Sequence, residues 1–61
     1  MVSLKFHDLE DKKDYIEINV SEDKKVLYIS ISSEDFNSVG LDRSTAIRLS
    51  RELRKQIALL D

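Results

Sequence analysis

The sequence predicts an α+β fold: a three-stranded antiparallel meander, in the order 1-2-3, packed on one C-terminal amphipathic helix (β-β-β-α). Three observations lead there. Polar and apolar residues alternate in three segments before residue 33, which is the period of half-buried strands. After Leu41 the apolar period changes to that of a helix. With 61 residues there is room for one domain, spanning 1–61, and for no second one.

In the first segment, residues 2–7, Val2, Leu4 and Phe6 alternate with Ser3, Lys5 and His7. Ile16, Ile18 and Val20 then alternate with Tyr15, Glu17 and Asn19, and Leu27, Ile29 and Ile31 with Val26, Tyr28, Ser30 and Ser32. A one-residue slip would move an apolar set to the wrong face, so register is testable. Pairing Phe6 with Ile16 brings Leu4 to Ile18 and Val2 to Val20. Pairing Ile18 with Leu27 brings Ile16 to Ile29 and leaves a turn at residues 21–24. Residues 33–39 read as a connector, and Gly40 suits a sharp reversal of the chain.

Ala46, Leu49, Leu53, Ile57 and Leu60 share one side of a helix of roughly five turns. Asp42 is placed to cap its start by accepting from free amides of the first turn. Sheet face and helix stripe must each be covered, so the expected core is Val2, Leu4, Phe6, Ile16, Ile18, Val20, Leu27, Ile29 and Ile31 against those five helix residues. A domain of this size buries only about 60% of the surface of its unfolded chain, so that core is marginal. There is no Cys to staple it, and one His without Cys cannot assemble the usual zinc ligand set. Completion by another chain is therefore expected, as a homodimer or higher oligomer.

The surplus surface suggests where. Tyr15, Val26 and Tyr28 fall on the back of the sheet, the outer edge of the third strand is unpaired, and Ile47 and Ala58 lie outside the main helix stripe beside Arg51 and Arg54. These seven residues form the expected self-association or partner surface. Charge is uneven: residues 1–42 hold ten acids and five Lys, whereas residues 43–61 hold five cations and two acids. Arg43, Arg48, Arg51, Arg54 and Lys55 make one continuous helix flank. It reads first as a solvated face, with Arg54 and Lys55 near the negative end of the helix dipole. It would also fit an acidic protein surface, a second copy included. The alternative is a nucleic-acid-binding accessory factor that doubles this flank in a dimer. A net charge of −2 and an acidic sheet layer rank nucleic acid below protein.

No catalytic constellation is visible, and the expectation is a non-enzymatic interaction protein without cofactor. His7 is the one side chain titrating near neutrality unaided, and no motif surrounds it. Asp8, Glu10, Asp11 and Asp14 lack the Gly and terminal Glu of an EF-hand loop and enclose Lys12 and Lys13, so they read as a solvated turn and no metal is expected. Ser44 and Thr45 sit in the helix's first turn, where hydroxyls bond backbone. No apolar run approaches the ~18 residues of a membrane span, and the start lacks the pattern of a secretory signal. With no Cys, the expected compartment is the cytoplasm.

Overall fold

A computed structural model describes residues 4–61. It contains an antiparallel sheet followed by one C-terminal helix, the class the patterning predicts. The strands are β1 (Leu4–His7), β2 (Tyr15–Val20), β3 (Leu27–Ser32) and β4 (Phe36–Leu41), in the order β1-β2-β3-β4, and the helix α1 is Arg43–Ile57. Val2, expected in the core opposite Val20, lies outside the described residues.

β1 and β2 pair as the alternation requires, with Leu4 opposite Ile18 and Phe6 opposite Ile16. β2 and β3 pair two residues away from the expected register, with Ile18 opposite Ile29 and Val20 opposite Leu27. The turn explains the shift. Ser21 donates its N–H to the Val26 carbonyl at 3.0 Å, and Val26 donates its own to Ser21 Oγ at 3.2 Å, so the loop closes across residues 21–26 rather than 21–24. Inside it Asp23 Oδ1 accepts from the Ser21 hydroxyl and the Lys25 N–H, and Lys24 takes the left-handed conformation at φ 62°. A shift of two preserves faces, so every apolar residue stays on its expected side.

The fourth strand is the main departure in the sheet. Residues 36–41, expected to be connector and reversal, pair along the full length of β3, with Ile29 opposite Val39 and Leu27 opposite Leu41. The edge of β3 that the sequence left open is therefore occupied, and the free edges belong to β1 and β4. Gly40 makes no reversal: it lies within the strand, opposite Tyr28. A Cβ there would stand 3.1 Å from Val26 Cγ1 and 3.2 Å from Tyr28 Cε1, so the missing side chain makes room for the tyrosine ring.

Asp42 caps α1 as its position suggests, accepting the Thr45 N–H on Oδ1 at 2.8 Å. The helix ends at Ile57 after about four turns instead of the expected five, so Leu60 of the expected stripe lies beyond it. The helix and the sheet do not cover each other within the chain, which overturns the expected core. Among the described residues no apolar side chain is buried, and Ser30, at 6% exposure, is the one buried residue. The helix makes only marginal contact with any strand. The physical reason lies in the connection. β4 ends at Leu41 and α1 begins at Arg43, so Asp42 alone joins them and leaves little chain with which the helix could turn back over the sheet. The radius of gyration is 12.8 Å, against about 10.5 Å for a compact domain of this length.

Candidate self-association surface

The strand register gathers one continuous apolar face: Leu4 and Phe6 from β1, Ile16, Ile18 and Val20 from β2, Leu27, Ile29 and Ile31 from β3, and Val39 and Leu41 from β4. Phe6 is 54% exposed and Val39 57%. The helix stripe is equally open, with Leu53 at 52% and Ile57 at 60%. Two apolar surfaces of complementary type therefore lie uncovered on one chain. Contiguous apolar surface of this kind is uncommon on monomeric proteins and marks sites of association.

The expected interaction residues divide between three places, because the observed register sets Tyr15 opposite Ser32 at the end of the sheet that carries the acidic β1–β2 loop and Tyr28 opposite Asn19, four residues away, where sequence spacing puts them on a diagonal. Tyr15, Tyr28 and Val26 belong to the opposite, polar side of the sheet. Tyr15 stacks at a tilt against His7, with ring centroids 5.5 Å apart, and Lys5 Nζ stands 5.0 Å from the Tyr15 centroid. Val26 precedes β3 instead of opening it, yet its side chain and the Tyr28 ring both border the gap at Gly40. Ser30 and Ser38, opposite one another, join hydroxyls at 3.2 Å on this side. Phe36, which the sequence reading passed over, belongs to the same polar side and is largely exposed. Its signal was its place two residues before Ser38 and four before Gly40, the alternation of a fourth strand.

Ile47 stands at the root of the helix, lining with Ala46, Val20, Val26 and Leu27 an open cleft of about 390 Å³ beside the β2–β3 turn. Ala58 is the helix C-cap. Arg48, Arg51 and Lys55 come together along one exposed side of α1, while Arg43 lies at the cleft by the helix root. Of the five helix cations only Lys55 is paired, with Glu52 at 3.1 Å; the four guanidinium groups make no ion pair among the described residues.

The acidic residues of the turns are engaged locally. Asp8 Oδ2 accepts the N–H groups of Glu10 and Asp11, each at 2.9 Å, and Asp11 Oδ1 accepts that of Lys13 at 3.0 Å. The Asp11 and Glu10 amides hold the Asp8 carboxyl below the ordinary carboxylate range. Ser21 and the Lys25 amide do the same for Asp23, and the Thr45 hydroxyl and amide for Asp42. His7 Nδ1 lies 2.8 Å from the Lys12 carbonyl, a contact that requires the proton on that nitrogen. Among the described residues no three His, Cys, Asp or Glu side chains are grouped to hold a metal ion, and no helix is long and apolar enough to cross a membrane. Comparison with protein-family models, curated proteins and solved structures gives no match for this chain.

Proposed function

We propose that this chain is a non-catalytic, cytoplasmic interaction protein that acts as a homodimer, its hydrophobic core lying between the two copies. The observation that carries this reading is an excess of surface. The chain exposes 5740 Å² at 7.1 kDa, where a compact monomer of that mass exposes about 4,100 Å². The surplus of roughly 1,600 Å² per chain, doubled for a pair, falls within the 2,000–5,000 Å² that obligate homodimers bury. The apolar sheet face and helix stripe, both open, contribute to it, and an obligate interface resembles a core divided in two. The non-catalytic part is supported by the local engagement of Asp8, Asp23, Asp42 and His7, whose acceptors and donors serve turns and a helix cap.

The test is the solution mass by light scattering after gel filtration, over a wide dilution series at low and high salt. The reading expects twice the chain mass, about 14 kDa, down to low micromolar protein. A folded species of 7.1 kDa at every concentration would overturn it.

A further inference from the structure

We propose that the two copies exchange helices, the α1 stripe of each lying on the apolar sheet face of the other with its basic C-terminal half at that sheet's acidic end. This rests on the homodimer reading and assigns which surfaces meet.

The tether gives the first reason. Asp42 alone links β4 to α1, capping the helix through the Thr45 and Ala46 amides at 2.8 and 2.9 Å, so the chain has little slack with which to lay α1 back on its own sheet. A second copy can be met without that slack. Dimensions agree: the 15-residue helix is about 22 Å long, and the six-residue strands run about 20 Å.

Charge supplies the direction. Strand connectivity places the β1–β2 loop and the β3–β4 turn at one end of the sheet, and that end carries Asp8, Glu10, Asp11, Asp14, Glu34 and Asp35 against Lys12 and Lys13. The opposite end, where α1 is rooted, is balanced: Glu22, Asp23 and Asp42 face Lys24, Lys25 and Arg43. Arg54, the cation in the C-terminal half of α1 that helix spacing places nearest the stripe and that has no ion pair among the described residues of its own chain, therefore has its complement at the far end of the other copy's sheet.

Shape fits at the same place. The acidic end holds an open cavity of about 410 Å³ with Phe6, Leu9, Ile16 and Ile31 among its apolar walls and Asp8 and Asp14 at its rim. Leu9 there is 93% exposed. Ile57 and Leu60, next to Arg54 and Lys55, form the matching arrangement, an apolar end flanked by cations.

The absence of Cys makes the test clean. Ile31→Cys and Ile57→Cys are prepared as separate proteins, mixed through reversible unfolding and oxidised, with Ile18→Cys alone as the probe of sheet-on-sheet packing. Helix exchange predicts a disulfide joining one Ile31→Cys chain to one Ile57→Cys chain, at several times the yield of either symmetric product. A dominant symmetric Ile18→Cys product with no mixed product would overturn helix exchange while leaving the homodimer intact. A monomer mass for the unmodified chain would instead overturn the homodimer. A second pair guards against misfolded cysteine variants. Arg54→Glu/Lys55→Glu and Asp14→Lys/Asp35→Lys should each weaken self-association, by roughly tenfold at low salt if several exposed pairs are lost. Mixed together they should form the heterodimer preferentially. No preference for the mixed species, or oligonucleotide binding by the dimer that Arg51→Glu/Arg54→Glu abolishes, would overturn the charge assignment.

Discussion

Leu53→Ala separates a chain whose stripe is covered by a second copy from one whose stripe faces water. Leu53 lies mid-stripe at 52% exposure in the single chain. If that were its environment in solution, the change would be almost neutral, because Ala has the higher helix propensity and little transfer free energy would be lost. In the homodimer the side chain is covered, and truncating a buried Leu costs about 2–5 kcal/mol. Each dimer contains the site twice, so the loss is about 4–10 kcal/mol, a weakening of roughly 10³- to 10⁷-fold in dissociation constant. The assay is sedimentation equilibrium across micromolar concentrations, with helical circular dichroism recorded on the same samples. The variant should dissociate and lose helix together. Unchanged mass with an unchanged or raised unfolding midpoint would refute the reasoning.

Two further substitutions probe the sheet and the cap. Gly40→Ala should be tolerated with a small displacement of the Tyr28 ring, because its Cβ would stand 3.1–3.2 Å from Val26 and Tyr28. Gly40→Val should lower stability by about 1–3 kcal/mol through crowding, read from urea midpoints. Acid should destabilise the fold through Asp8, Asp23 and Asp42. Their folded pKa values lie below the ordinary 3.8, so their contribution is complete above the unfolded value and is lost as pH falls through the folded values. Asp42→Asn, which keeps an acceptor for the Thr45 amide, should flatten part of that acid slope in midpoints measured from pH 6 to pH 2.

How much was legible in the sequence differs between elements for physical reasons. Phe6, Ile16 and Ile18 alternate strictly, so the β1–β2 register follows from faces alone. The β2–β3 register does not, because a shift of two leaves Ile29 and Leu27 on the same face. The choice is made by Ser21, Asp23 and the left-handed Lys24, whose turn draws Lys25 and Val26 out of the strand. β4 was hidden because Phe36 and Val39 point to opposite sides and Asn37, Ser38 and Gly40 are poor strand formers. Only Val39 and Leu41 of its six residues add apolar side chains to the face of Ile29 and Leu27, too short a set to show as alternation. The helix and its Asp42 cap were plain from spacing. What spacing could not supply was which sheet the stripe meets, since patterning says that an apolar face must be covered and nothing about whose residues cover it. Tyr15, Tyr28 and Val26 lie behind the sheet, but the two-residue shift parts Tyr15 from Tyr28, and the larger uncovered surface is the face assigned to the core.

The central claim, a core formed between copies, is tested most directly by the thermal midpoint as a function of concentration. If folding and dimerisation are one transition, a thousandfold dilution removes about 4.1 kcal/mol of stability per dimer. With about 2.1 cal/mol/K of unfolding entropy per residue, the midpoint should fall by roughly 15 °C. A midpoint that stays fixed across that range would place the core within the single chain and contradict the account.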